Sequence, residues 1–217
     1  MLLLRNTLVT LSLALALPFT VGAQNVFIPD VNMRNWLNAQ VPGCVDGTGH
    51  MDTTNVDLGA APQDETGSSI LEVTWAPSDL KGLQYLRGNG ALSLHFKMAG
   101  TTSLPAFPRN ITRLEIIGYP NSTLPPIPVS IAGLDLEHLP ALTEVQGGGA
   151  VNDLVLRDLP ALTAVPAVVG GPLSPAIMLA RLPLITALPD LTLLDRLTID
   201  SCGMFGGIAE LRRASPA

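Results

Sequence analysis

The residues best suited to bind a ligand are three carboxylates and one guanidinium. Glu115 is followed 20 residues later by Asp135, and Glu137 is followed 20 residues later by Arg157. In parallel strands stacked one repeat apart, Glu115 would lie opposite Asp135 and Glu137 opposite Arg157. Like charges placed opposite each other cost stability, so a basic or cation-bearing ligand would suit this surface. A solvated face that binds nothing is the alternative, because water screens exposed charges.

The other reactive residue types form no catalytic pattern in this sequence. The motifs G-x-S-x-G, H-E-x-x-H and the P-loop are missing. The three histidines, His50, His95 and His138, lie in different sequence units. We therefore predict no catalytic residue, no metal site, no cofactor and no enzyme activity.

The segment from Asp46 to Asp52 has oxygen-bearing side chains at alternating positions, as calcium loops do. His50 replaces an oxygen ligand, however, and no glutamate closes the loop. We therefore favour a polar turn over a calcium site.

The two cysteines, Cys44 and Cys202, stand before and at the end of a repetitive region. Strands stacked about 4.8 Å apart would separate them by tens of ångströms. A disulfide needs Cα atoms within about 7 Å. We predict two separate thiols, with Cys202 acting as a small buried apolar residue.

A repeat positions all of these residues. Two apolar residues separated by one other return seven times, 20 to 23 residues apart. The pairs are Leu71/Val73, Leu92/Leu94, Leu114/Ile116, Leu134/Leu136, Leu154/Leu156, Ile177/Leu179 and Leu197/Ile199. A period this short predicts a solenoid of stacked parallel strands with each pair facing inward. Prolines between the pairs predict a connecting arc of irregular or polyproline-like backbone.

The sequence divides into four regions. Residues 1–23 are typical of a secretory signal peptide, with Arg5, an apolar run and a small-residue cleavage site. A membrane anchor is the alternative, but the apolar run is too short to cross a bilayer. Residues 24–66 form an N-terminal cap segment, residues 67–202 about seven repeats, and residues 203–217 a tail or truncated repeat.

The N-terminal cap segment should contain a short helix. Asp30 is a suitable N-cap, and Pro42 follows the expected helix end. Met33, Trp36 and Leu37 are spaced to form one apolar stripe. We expect this stripe to cover the open end of the first repeat.

The charge balance limits the partners. Without residues 1–23 the chain has 18 acidic and 11 basic side chains. This excess of negative charge argues against nucleic acid and anionic membrane surfaces as partners. No later stretch is apolar enough for a stable membrane span.

The repeat resembles the leucine-rich repeat family, whose pattern is L-x-x-L-x-L-x-x-N-x-L. The leucine positions fit, whereas the asparagine position holds other residues, which favours a more apolar turn. These residues are Tyr119, Leu139, Leu159, Leu182 and Cys202. The segment "NVFIPDVNMRNWLNAQVPGCVD" followed by "SDLKGLQYL" is similar to secreted leucine-rich repeat proteins of Bacteroidetes-type bacteria. The resemblance implies short parallel strands on a concave face, which such proteins use for binding.

These observations predict a secreted or cell-surface interaction module without catalysis. It would bind protein or glycan through its concave face at Glu115, Asp135, Glu137 and Arg157. One alternative is a structural or adhesive matrix component that assembles by solenoid stacking through an open C-terminal end. Another is a fragment of an effector-type ubiquitin ligase, whose Leu-Pro repeats are similar but which needs a helical domain with a nucleophilic cysteine.

Overall fold

The structure is a computed structural model that describes most of the repeat region and the segment before it. The described residues are 25–54, 69–74, 78–87, 92–97, 104–108, 110–128, 130–147, 150–166, 176–188, 196–203 and 209–212. The predicted signal peptide, residues 1–23, lies outside them.

The body of the described chain is one eight-stranded sheet. Its strands are β3 (Ser69–Val73), β4 (Leu92–Lys97), β5 (Ile111–Ile117), β6 (Ser130–Glu137), β7 (Ala150–Arg157), β8 (Ala176–Ala180), β9 (Arg196–Asp200) and β10 (Ala209–Arg212). Strands β3 to β9 follow one another in order and pair in parallel, and β10 pairs antiparallel with β9. Because each strand pairs with the one a single repeat later, the predicted parallel-strand solenoid is confirmed.

The inward pairs form continuous apolar rows through the solenoid. Leu114, Leu134 and Leu154 stand in register on successive strands, and all three are buried. The intervening residues point to the opposite side of the sheet, as the period of two requires. One apolar core therefore runs the length of the stack.

One predicted pair is wrong. The structure aligns Leu71 with Leu94 and Leu94 with Leu114, so the inward pair of β4 is Leu94/Phe96 rather than Leu92/Leu94. Leu94 and Phe96 are fully buried. A shift by two residues keeps the same faces of a strand, so alternation alone could not separate the two registers.

Each strand from β6 to β8 ends in a similar turn. Leu139, Leu159 and Leu182 are buried and precede a proline. The N–H of the residue three positions later donates back to each of these leucine carbonyls at 3.2–3.3 Å. Proline suits the second position of such a turn because its φ is already set. The apolar turn expected at the asparagine position of the repeat is therefore present.

A hydrogen-bond ladder links the connecting arcs. The Thr143 N–H donates to the Ser122 carbonyl at 3.2 Å, and the Thr163 N–H donates to the Thr143 carbonyl at 3.3 Å. Both threonine hydroxyls donate to the same carbonyls. These contacts satisfy backbone carbonyls between repeats without an asparagine side chain.

The N-terminal segment contains α1 (Val31–Gln40) and a two-stranded antiparallel sheet of β1 (Asn25–Phe27) and β2 (His50–Asp52). Asp30 caps α1, because its carboxylate accepts from the Met33 N–H at 2.9 Å. Met33 and Leu37 are buried, and Trp36 packs against the core. The Trp36 Nε1 donates to the Glu72 carbonyl of β3 at 3.2 Å, so the predicted helix contacts the first strand of the solenoid.

The C-terminal tail also contacts the sheet. Residues Ala209 to Arg212 form β10, which pairs with Leu197 and neighbouring residues along β9. The stacking alternative assumed an open C-terminal end. In the structure, the edge of β9 is instead hydrogen-bonded to β10 of the same chain.

Candidate functional site: the exposed face of the sheet

The four predicted ligand-binding residues lie on three neighbouring strands. Glu115 is on β5, Asp135 and Glu137 are on β6, and Arg157 is on β7. The buried leucines beside them point into the core, so these four side chains project from the opposite side, which we call the sheet face. The structure brings all four together in register.

Glu115 has a partner that the sequence analysis misplaced. The His95 Nδ1 lies 2.9 Å from the Glu115 Oε2, and about one fifth of each side chain is exposed. Aligning the predicted pair Leu92/Leu94 with Leu114/Ile116 would put His95 beside Ile117. The observed register instead pairs His95 with Glu115. The error in the β4 pair therefore hid this contact.

Glu137 and Arg157 form the predicted ion pair. The Arg157 Nη1 donates to the Glu137 Oε1 at 2.7 Å. The Arg157 Nη2 lies 3.4 Å from the sulfur of Met178 on β8. Arg157 is thereby held across three strands and covers part of the sheet face.

Asp135 stands between these two ion pairs and forms no ion pair with a cation among the described residues. It lies opposite Glu115 on β5, and its Oδ1 is buried with no hydrogen-bond partner in the described part of the chain. The pKa of Asp135 is raised from 3.8 to about 6, mainly by burial and in addition by the negative charges of Glu137 and Glu115. Arg157 and Arg113 act in the opposite direction but do not cancel the effect.

This arrangement accepts hydrogen bonds better than it donates them. Ammonium, guanidinium and hydroxyl groups are the donors that carboxylates bind. Among the described residues no cluster of three or more His, Cys, Asp or Glu has metal-binding geometry. The face therefore suits a donor-bearing ligand.

A second row of polar side chains follows the strands, and the sequence analysis did not find it. His138, Asp158, Arg181 and Ser201 each come directly after a strand with φ between 52° and 54°. The first three donate their N–H to the carbonyl that ends the next strand at 2.8–3.0 Å. The left-handed conformation costs a non-glycine residue about 1–2 kcal/mol. Gly118 occupies the same position after β5 without that cost.

We call His138, Asp158, Arg181 and Ser201 the turn row, and the first three of them are linked by charge. The His138 Nδ1 lies 2.9 Å from the Asp158 Oδ2, and Arg181 forms a two-point contact with the same carboxylate. The hydrogen bonds from Arg181 lower the pKa of Asp158. A polar residue directly after each of these strands is the sequence signal that could have revealed this row.

The segment from Asp46 to Asp52 begins with a polar turn, which the sequence analysis favoured, and ends in β2. The Asp46 Oδ1 accepts from the N–H groups of Thr48 and His50 and from the Thr48 hydroxyl at 2.8–2.9 Å. The Asp46 carboxylate is therefore committed to its own turn.

The two cysteines are separate thiols, as predicted. In the part of the chain that the structure describes, Cys44 and Cys202 are both free and buried. Burial raises the pKa of Cys44 to about 11 and also raises that of Cys202. A thiol that stays protonated is a poor nucleophile, so neither residue has the character of a reactive centre.

Comparison with known proteins supplies no relative: no family model, curated protein or solved structure matches this chain. Among the described residues, no helix is long and apolar enough to cross a membrane.

Proposed function

We propose that this protein is a non-catalytic interaction module that binds a protein or glycan partner through the sheet face. Glu115, Asp135, Glu137 and Arg157 are the residues that would contact the partner. The observation that carries this proposal is Asp135, a carboxylate held between two others with a buried oxygen that lacks a partner within the described residues.

The energetics of Asp135 support a binding role. A carboxylate with a raised pKa makes the folded state less stable at neutral pH than an unperturbed carboxylate would. Natural proteins retain such costs mainly where function requires them. A ligand that brings a cation or a hydroxyl donor to this face would offset the repulsion among Glu115, Asp135 and Glu137.

The wider setting of this proposal rests on the sequence. The Leu-x-Leu repeat and the solenoid fit a protein of the leucine-rich repeat type, which presents its sheet as a binding surface. The pattern of residues 1–23 supports export to the cell surface or the medium. On these grounds we propose that the protein is of the leucine-rich repeat type and that it is secreted or exposed at the cell surface.

Binding to immobilised probes tests this function. The probes are a lysine-rich peptide, an arginine-rich peptide, a neutral polysaccharide and an acidic polysaccharide. We expect capture of the cationic peptides by the full chain and loss of capture in the triple variant Glu115→Lys, Asp135→Lys, Glu137→Lys. A neutral triple variant with Gln, Asn and Gln at the same positions should bind weakly and should keep the fold.

A single variant, Glu144→Lys, is the control for a change of charge elsewhere. Glu144 is exposed on the connecting arc, so its reversal should leave capture nearly unchanged. Capture of the cationic peptides that survives the triple reversal would refute the site, and a folded wild-type chain that captures neither cationic peptide would refute the proposed binding surface.

The alternative of a matrix component that stacks end to end stays a prediction. The pairing of β10 with β9 speaks against stacking through the edge of β9, because that edge is already hydrogen-bonded. Stacking there would first require β10 to leave. Size-exclusion chromatography over a range of concentrations tests this alternative, since stacking predicts oligomers that grow with concentration.

A further inference from the structure

A groove runs along the turns that follow β6 to β9, beside the sheet face, and we call it the turn groove. Its lining combines exposed prolines with the turn row. The complete lining is His138, Pro140, Asp158, Pro160, Arg181, Pro183 and Ser201, around a volume of about 600 Å³. The turns after β6, β7 and β8 each contribute the same two positions, and the turn after β9 contributes Ser201, so the groove has a regular pattern along the solenoid.

The turn row points to a role for its side chains. Its backbone conformation suits glycine, and glycine does occupy the equivalent position after β5. Non-glycine residues in this conformation at the same position of four successive repeats are unusual. Backbone outliers of this kind concentrate at functional sites. The turn itself needs only the backbone N–H groups, so the left-handed backbone does not by itself require these side chains. Three of them pair with one another across repeats and still keep part of their polar surface exposed.

The charges of the turn groove favour a neutral, hydroxyl-rich occupant. Asp158 is paired on both sides, with His138 and with Arg181. With His138 neutral, the formal charges of the lining cancel. His138 and Arg181 still expose 57% and 51% of their side chains. The lining therefore offers both donors and acceptors and carries no net formal charge, and a hydroxyl group can use both.

The spacing of the turn groove favours a sugar chain over a peptide. Neighbouring strands lie about 4.8 Å apart, so the pattern of proline and polar side chain repeats at that interval. One pyranose ring with its linking oxygen has nearly this length, and its C–H face can pack on a pyrrolidine ring. An extended peptide advances about 3.3 Å per residue and would lose register with the turns.

We propose that the turn groove binds a linear, neutral glycan, with about one sugar unit for each turn. The hydroxyl groups would contact the turn row and the ring faces would lie on the prolines. This site is separate from the sheet face, and the proposal does not depend on the sheet face binding a partner.

Calorimetric titration of the full chain with hexasaccharides tests the proposal. The probes are β-1,4-linked glucose, β-1,4-linked mannose and α-1,4-linked glucose. The decisive variant is His138→Gly, Asp158→Gly, Arg181→Gly, which removes the side chains and also relieves the backbone strain. We expect the wild type to bind at least one hexasaccharide and the glycine variant to bind it about tenfold more weakly or worse, because hydrogen bonds to charged groups are lost.

Thermal unfolding of the same glycine variant separates binding from a structural role. We expect its Tm to equal or exceed that of the wild type, because glycine is unstrained at these positions. A lower Tm with unchanged glycan affinity would assign the turn row to stability and overturn the proposal.

Two further arms complete the test. The triple reversal of Glu115, Asp135 and Glu137 should keep the glycan affinity, and a loss there would place the glycan on the sheet face instead. A wild-type chain that binds no hexasaccharide, or that binds an uncharged extended peptide through the turn row in its place, would also overturn the proposal.

Discussion

Asp135 on β6 lies directly opposite Glu115 on β5, and its Oδ1 is buried with no hydrogen-bond partner among the described residues. Glu115 is paired with His95, and Glu137 is paired with Arg157. Of the three carboxylates, only Asp135 therefore lacks an ion-pair partner among the described residues that would offset their mutual repulsion. This relationship makes the stability of the folded chain sensitive to pH.

Replacement of Asp135 by asparagine should stabilise the protein at neutral pH. The folded-state pKa of Asp135 is raised to about 6 from 3.8, so the folded chain holds a proton between about pH 4 and pH 6 that the unfolded chain releases. The free energy of unfolding therefore falls as the pH rises through this window. At pH 8 we expect Asp135→Asn to raise that free energy by about 1–3 kcal/mol, since one pKa unit corresponds to about 1.4 kcal/mol.

Urea unfolding at pH 4 and pH 8 measures this effect. The gain should be small at pH 4, where Asp135 is protonated in the folded state. The control is Asp153→Asn on the exposed surface of β7, which should change the unfolding free energy by no more than about 0.5 kcal/mol. An Asp135→Asn variant that is less stable than the wild type at pH 8 would show that the carboxylate has a stabilising partner.

The apolar turn should be essential to the stack. Leu159 is fully buried after β7, whereas Leu184 in the next repeat is 50% exposed. We expect Leu159→Ala to lower the free energy of unfolding by about 2–5 kcal/mol because it leaves a cavity. Leu184→Ala should change it by about 0.5 kcal/mol or less. Urea unfolding of both variants checks the difference, and equal effects would contradict the described burial.

Gly203 should tolerate no side chain. A Cβ at this position would overlap the carbonyl oxygen of Pro183 in the preceding turn. The Gly203 N–H also donates to the Leu182 carbonyl at 3.1 Å. We expect Gly203→Ala to lower the free energy of unfolding by about 1–3 kcal/mol because the backbones must separate.

Gly47 provides the matched control for this substitution. A Cβ there would meet no heavy atom of the described chain within 4 Å. Gly47→Ala should leave stability unchanged or raise it by up to about 1 kcal/mol through the unfolded state. Thermal unfolding of the two variants measures this difference. Equal changes in Tm would contradict the close approach of Gly203 to Pro183.

Several elements could be predicted from the sequence because the signals are local or periodic. The helix from Val31 to Gln40 follows from its N-cap and its apolar stripe. Glu115 lies opposite Asp135, and Glu137 lies opposite Arg157, because the repeat step is constant at 20 residues there. The β4 pair was wrong because the step changes there, and a strand pattern of period two fits two registers equally well.

By itself, the sequence determined the repeat, the solenoid, the inward leucines and the acidic character of the sheet face, because each of these depends on residue type and spacing along one chain. Only the tertiary structure decided that His95 pairs with Glu115, that β10 covers the edge of β9, and that Asp158 links His138 to Arg181. These features depend on which repeat lies beside which and on left-handed backbone after each strand. Register and backbone handedness are set by packing between repeats, which no single repeat encodes.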